Sequence, residues 1–405
     1  MIQKIQTGEV PIKWLTDEQI RVFGSFSWLV AVGEWFWRER KILKTSTYFW
    51  IANNTIMFFA MLFTTYHYID YFPMLAYSAH HSTLLFADAV IPLVFYANRR
   101  KCRYIVERSK YSYEYGSELM SAFAKELLAK RTVQMRRISW LMQFITFSIL
   151  FVVEAFFLLE VLLLKNYKTV FPFYIGMDLD DPVVYCLVIS WQQVCVLFTT
   201  GIITSCMVVL YLAWNHISLE TTILCYAIRN SKEIAEEAGA NEDDSHESNI
   251  YVDHFRHVVK HHQMILIYYE KFNSSLKWLT TLVFMDGICL FVSSGLAVLA
   301  DNFGIKAKLL FFLETQVCVI YAWCWIGQYL NDKGDQILRA CADAPWWCMP
   351  KPCRSTLLMI MRRCMRPMNL KTALGTIANR ASFMDMLTTC YQAVNIIIQT
   401  REKIK

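Results

Sequence analysis

Seven stretches of about twenty mostly apolar residues dominate this chain, at 46–66, 77–98, 138–164, 185–214, 276–298, 309–330 and 381–400. Crossing the hydrocarbon core of a bilayer takes about 20 helical residues, and inside it every backbone polar group must be satisfied within the structure. The pattern therefore predicts an all-α, polytopic membrane protein with seven transmembrane helices. Composition agrees, because 56% of the 405 residues are hydrophobic and only 18% are charged, a balance foreign to soluble domains. A further apolar stretch, Phe23 to Trp37, is short and is interrupted by Gly24, Gly33 and Glu34. It reads as an interfacial helix with Trp28, Trp35 and Trp37 at the headgroups. The opening residues lack the pattern of a signal peptide, so insertion is expected to begin with the first spanning helix.

The basic residues set the orientation. Of the 40 Lys and Arg, 32 fall in segments 1–44, 99–137, 215–275 and 331–380, and the alternate connections are nearly bare of them. By the positive-inside rule the N-terminus is expected in the cytoplasm and the C-terminus outside. That is opposite to a G-protein-coupled receptor, and the sequence has neither a DRY after its third run nor an NPxxY in its seventh.

Four regions follow: a cytoplasmic N-terminal segment at 1–45, six helices over 46–330, a cytoplasmic segment at 331–380 and a last helix within 381–405. The acidic stretch 228–250 is expected to be mostly a mobile loop. In the segment after it, His254, His257 and His261 share one helical face, which reads as solvated and not as a metal site. Within 351–367, Leu357, Leu358, Ile360 and Met361 stand among Arg354, Arg362, Arg363 and Arg366. They predict an amphipathic helix under the membrane that ends near Pro367. Cys341, Cys348, Cys353 and Cys364 are too irregularly spaced for a zinc site. They read as reduced thiols, and no cofactor is expected.

The last run carries an anomaly. In TTCYQAVNIIIQT, Thr388, Gln392, Asn395 and Gln399 fall within roughly 60° of one another on a helix. Such a stripe needs water or a partner helix. It either lines an aqueous path or bonds neighbouring helices together.

The order of features at the C-terminal end, WWCMP, then LLMIMRRCMRPMNLKTA, then a short spanning helix with TCYQAV, resembles the insect odorant receptors. Inverted topology, length and the Pro-containing segment NYKTVFPFYIGMDLDDPVVY support the resemblance. Cys390-Tyr391-Gln392 replaces the family's frequent Ser-Tyr-Ser, and the co-receptor's Gln six residues after Tyr is Ile397 here. The chain therefore resembles a ligand-specific subunit and not the co-receptor. The resemblance implies an odorant-gated, non-selective cation channel of four subunits in the plasma membrane of olfactory neurons. It also implies an odorant co-receptor as partner, anchoring through the inner parts of helices four to seven, and a central pore lined by helix seven. Aligned on Tyr391, Val394 takes the gate position, with Ile398 one turn further out and Gln392 and Asn395 on the polar face.

The family's ligand pocket lies in the outer half of the bundle, among helices two, three, four and six. Depth at about 1.5 Å per residue then selects Leu84, Ala87 and Asp88, Phe151, Glu154 and Phe157, Val194 and Phe198, and Thr315 and Cys318. A lining of this kind suits a small volatile organic molecule. Asp88 and Glu154 would recognise a donor or amine, or else be protonated or bonded within the bundle; Asp286 and Glu314 pose the same choice. No nucleophile and base, phosphate loop or metal site points to an enzyme, and nothing suggests nucleic acid. A gustatory receptor and a proton-coupled transporter are the alternatives, the second weakened by the absence of a visible inverted repeat.

Overall fold

The computed structural model describes residues 41–109, 111–162, 181–239, 244–296 and 303–404. The expected interfacial helix at Phe23 to Trp37 lies outside these residues. The described chain is helical throughout, with helices α1 (Lys41–His67), α2 (Phe72–Arg108), α3 (Glu118–Leu162), α4 (Pro182–Arg229), α5 (Ser231–Glu237), α6 (Asp244–Gly295), α7 (Phe303–Asp343), α8 (Lys351–Cys364) and α9 (Arg380–Ile404). Each of the seven apolar runs falls, within the described residues, mainly on one helix: α1, α2, α3, α4, α6, α7 and α9, in order.

Several helices are far longer than a bilayer requires. α4 has 48 residues and α6 has 52, so at 1.5 Å per residue each extends for about 70–80 Å against a hydrocarbon core of ~30 Å. The excess lies at one end of the bundle, where segments 99–137, 215–275 and 331–380 gather; this is the extended end, and the opposite end is the short end.

Each end has a reason to be helical. Asp181 caps α4 by accepting from Val183 N at 2.8 Å, with Pro182 at the first helical position, where its missing N–H costs nothing. Glu237, at the end of α5, accepts from Glu118 N at 2.8 Å and Leu119 N at 3.2 Å, satisfying donors that α3 leaves open. The stretch expected to be a loop is thus mostly structured: α4 runs on to Arg229, α5 follows at once, and α6 opens at Asp244. Its acidic composition concealed a capping contact, remote in sequence, that pins it to α3.

Two apolar cores hold the bundle together. One runs through the spanning region and joins Ile91, Phe95, Leu210, Trp214, Phe272, Leu279, Trp323, Phe383 and Met386. The other fills the extended end with Met120, Ile223, Leu224, Ile228, Phe255, Val258, Ile337, Leu357 and Ile360. α8 contributes Cys353, Leu357, Ile360 and Cys364 to this second core and leaves Leu358 and Met359 exposed. On the outer surface of the spanning region, Phe49, Phe59 and Phe63 on α1, Trp140 and Phe144 on α3, and Trp278 and Met285 on α6 point away from the protein. An apolar belt of this extent fits lipid as the solvent.

The segment between α8 and α9 sets where the last helix starts. It folds back on itself, with Ala378 N donating to Leu370 O at 2.8 Å and Thr372 N to Thr376 O at 2.9 Å, through a turn at Gly375, whose φ is +90°. It also lies directly on α7, where a Cβ at Gly327 would collide with the carbonyl oxygen of Ala378. Only glycine permits that approach.

Candidate functional site

α9 begins at a cap in which Asn379 Oδ1 accepts from Ser382 N at 2.8 Å. From there its two sides diverge. Phe383, Met386 and Cys390 are buried against the other helices of the chain, with the Phe383 ring edge-on to Tyr321 of α7 at 5.5 Å. Val394 is half-buried and faces Gly295 of α6. At about 100° per residue these four positions lie within roughly 80° of one another, whereas Thr388, Gln392, Asn395 and Gln399 centre about 160° away. Thr388, Gln392 and Gln399 are exposed and Asn395 is half-buried. The polar stripe thus faces directly away from the helices against which α9 packs. Thr388 and Thr389 fold their hydroxyls onto Met384 O and Asp385 O, at 2.9 and 2.8 Å. Ile398 is half-buried, on the flank of the packed face.

Of the ten residues selected by depth, six have described side chains, and these six divide between the interior and the outer surface. Ala87 and Asp88 are buried in the interior and Leu84 is half-buried. Phe151 is 73% exposed, Val194 is 42% exposed, and Cys318 is also exposed. Depth along a helix does not choose the face, and these three side chains point out of the bundle. Glu154, Phe157, Phe198 and Thr315 lie on α3, α4 and α7, but their side chains are outside the described residues.

The interior around Asp88 is polar. Trp191 Nε1 donates to Asn53 Oδ1 at 2.6 Å, and Asn53 Nδ2 donates to Cys195 Sγ at 3.1 Å. Asp88 is within electrostatic reach of Cys195 and of Asp286 on α6. Two turns earlier on α2, His80 is buried with its Nδ1 at 3.3 Å from Ser293 Oγ and 3.2 Å from Ser294 Oγ, both on α6. Glu314, expected to pose the problem of a buried carboxylate, is exposed; its turn of α7 faces outward.

A second polar cluster, unforeseen from sequence, lies at the extended end. Glu220 of α4 is 1% exposed and accepts from His261 Nε2 at 2.7 Å and from Tyr113 N at 3.2 Å. Its other oxygen stands 3.8 Å from His216 Nδ1. Tyr115 OH meets His261 Nδ1 at 2.8 Å, and the Tyr113 ring stacks on the His261 ring at 4.5 Å. Burial alone would raise the Glu220 pKa, but the hydrogen bond from His261 and the nearby His216 and Arg108 hold it well below the usual carboxylate range. Burial lowers the His261 pKa in spite of its carboxylate partner, and it pushes His216 down to about 4. His254 is also lowered to about 4 by burial and bonds Ala227 O at 3.0 Å. The histidine face expected to be solvated is therefore largely interior. Helical spacing gives the same pattern for a wet face and a dry one, and the aromatic partners that make it dry come from residues 111–115, far away in sequence. Cys341, Cys353 and Cys364 are buried in the same core as free thiols.

Comparison with known proteins extends these observations. The sequence model described as 7tm Odorant receptor matches residues 90–391. The fold is similar to the solved structure of the insect olfactory receptor OR5 from Machilis hrabei, with a TM-score of 0.70 and 12% identity over 94% of this chain and 99% of that one. The same receptor in complex with eugenol matches with a TM-score of 0.71 and 13% identity over the same shares. No curated protein matches at a significant level. With three quarters of its length covered by the family's pattern and an all-helical bundle of the matching fold, this chain belongs to the 7tm odorant receptor family.

Proposed function

We propose that this chain is the ligand-recognising subunit of an odorant-gated, non-selective cation channel. One observation carries the channel reading. On α9 a stripe of exposed Thr388, Gln392 and Gln399 with half-buried Asn395 lies opposite the packed face, in a helix otherwise apolar enough for lipid. Exposed amides in a spanning helix are costly against hydrocarbon and favourable against water or a partner subunit. Four such helices around an axis would offer permeating cations a path lined with oxygens and amides. Val394 and Ile398, on the flank toward α6, would set how closely the helices approach that axis.

The extended end would lie in the cytoplasm, as its basic residues suggest, and would serve as the anchor between subunits. Trp346, Trp347, Leu358 and Met359 are exposed there beside Arg354 and Arg362. A neighbouring subunit, in our reading an odorant co-receptor, would cover them. The C-terminus would then lie outside the cell, and the site of action would be the plasma membrane of olfactory neurons. The OR5 complex with eugenol supports a small organic ligand, received in the outer half of the bundle beside Leu84, Ala87 and Asp88.

Whole-cell current tests this reading. The chain is expressed with and without an odorant co-receptor, and a panel of volatile esters, alcohols, aldehydes, phenols and amines is applied. A fast cation current that needs both chains and no G protein is expected. Accumulation of labelled substrate driven by a proton gradient, with no such current, would overturn it in favour of a carrier.

A further inference from the structure

Where α6 and α9 meet at Gly295, α6 contributes no side chain and only Val394 of α9 fills the contact. Gly295 lies in the last turn of α6, and a Cβ placed on it would stand 2.7 Å from Val394 Cγ2 and 3.4 Å from Val394 Cγ1. Real Cβ contacts are not that short, so any larger residue at 295 must displace α9 or turn Val394. Val394 is on the face of α9 opposite the polar stripe, and pushing there moves the stripe away from its own subunit. The absence of a side chain at 295 therefore sets how far α9 can retreat toward α6.

The two residues before Gly295 connect it to α2. Ser294 is fully buried, Ser293 nearly so, and both hydroxyl oxygens lie against His80 Nδ1. Ser293 spends its own proton on Leu290 O at 3.1 Å, so His80 is the donor to it. One and two turns along α2 from His80 are Leu84 and Asp88, on the same side of the helix. A displacement of α2 at these residues is transmitted to the last turn of α6 through hydrogen bonds between buried groups, and such bonds are costly to break.

We infer that Gly295 is the seat onto which the pore helix withdraws, and that the clamp of His80 with Ser293 and Ser294 ties this seat to the ligand-binding side of α2. Gly295 and His80 are positioning residues in this scheme. They touch neither ligand nor ion, and they set where Val394 stands. The inference rests on the channel reading above and deepens it by naming the contact through which occupancy and pore are coupled. A coupling of this kind needs an element that both sites bias. The α6–α9 contact, open or closed at Gly295, is that element.

Two experiments test it, each on the full chain with its partner subunit and at matched surface expression. In the first, Gly295→Ala is expected to raise the half-maximal ligand concentration or lower the maximal current by about fivefold or more. Adding Val394→Ala in the same chain is expected to recover at least half of the loss, because it removes the atoms that the new methyl meets. A purely structural defect would not be rescued by a second truncation. His80→Ala is expected to shift ligand sensitivity without changing single-channel conductance. A Gly295→Ala channel that behaves as wild type, or one that Val394→Ala does not improve, would overturn the inference.

The second experiment reads the contact without ligand. The added Cβ at 295 lies 3.6 Å from Val394 Cβ, within the range that a disulfide spans. Gly295→Cys with Val394→Cys is therefore expected to cross-link on oxidation, to lose the ligand response, and to regain it on reduction, while neither single variant does so. Failure to cross-link, or a cross-linked channel that still responds, would overturn the seat. A double variant that forms the cross-link, with a wild-type chain that passes no ligand-evoked current in any partner background, would instead overturn the channel reading, and the coupling with it.

Discussion

The two ends of the molecule are built for different tasks. At the extended end nearly every residue of α4 from Val209 to Ile228 is buried, and α5, α6, α7 and α8 close around it with the polar cluster of Glu220 and His261 sealed inside. At the short end α9 is held on one face only, by Phe383, Met386, Cys390 and the bare backbone at Gly295, while amides stand exposed on the other. Packing density of the first kind resists deformation. Few contacts and an exposed polar face belong to elements that move. On the proposed channel reading, the comparison separates what stabilises the molecule from what would gate it, so substitutions at the two ends should fail in different ways.

The largest effect is expected in the packed region that links the ends. Phe272→Ala, at a side chain with no exposure, should cost about 3–5 kcal/mol and lower the melting temperature of the detergent-solubilised complex and the surface level together. Glu220→Ala should follow closely, at about 3 kcal/mol, since it strands His261, the Tyr113 N–H and the Arg108 cation in a dry site. Restoration of stability by a second change, His261→Phe, would show that the stranded partner and not the lost volume is responsible.

Acid sharpens the same comparison. His216, His254 and His262 have their pKa values lowered to about 4 by burial, whereas an unfolded chain protonates histidine near 6.5. Their contribution is fully present above about pH 6.5 and falls as pH drops toward 4, because the unfolded state takes up protons first. Between pH 6.5 and 5.5 the three together should cost on the order of 3 kcal/mol, seen as a lower melting temperature in detergent. Replacing the three histidines should flatten that slope, and a slope that persisted would place the acid sensitivity elsewhere.

At the short end, Gln392→Leu and Asn395→Leu should change stability by less than about 0.5 kcal/mol yet reduce single-channel conductance severalfold. An effect on folding without one on conductance would reverse the contrast. The smallest effect is expected at the exposed Arg103 and Glu107 pair, 2.7 Å apart, where Glu107→Gln should leave melting and current unchanged.

Much of this was legible in the residues. Seven apolar runs placed seven helices because bilayer thickness imposes a length, and Arg354, Arg362 and Arg363 around Leu357 and Ile360 gave α8 because amphipathic periodicity needs no tertiary information. The polar stripe of α9 was visible as a stripe, but its direction depended on which face Phe383 and Met386 bury. Where sequence reasoning failed, the deciding contact was remote. Tyr113 and Tyr115 turn the histidine face of α6 into an interior, Glu237 fastens an acidic stretch to α3, and Phe151 and Val194 sit at suitable depth on outward faces. Gly295 gave no signal at all, since a glycine matters here through what stands opposite it.

Cysteine accessibility tests the central claim most directly. Gln392→Cys and Met386→Cys channels are held open by ligand and treated with a charged, membrane-impermeant thiol reagent while current is recorded. The account predicts that Gln392→Cys current falls within seconds and that Met386→Cys current does not, because the first position faces the ion path and the second the subunit's own core. Block at Met386→Cys with Gln392→Cys untouched would contradict it and would turn α9 around.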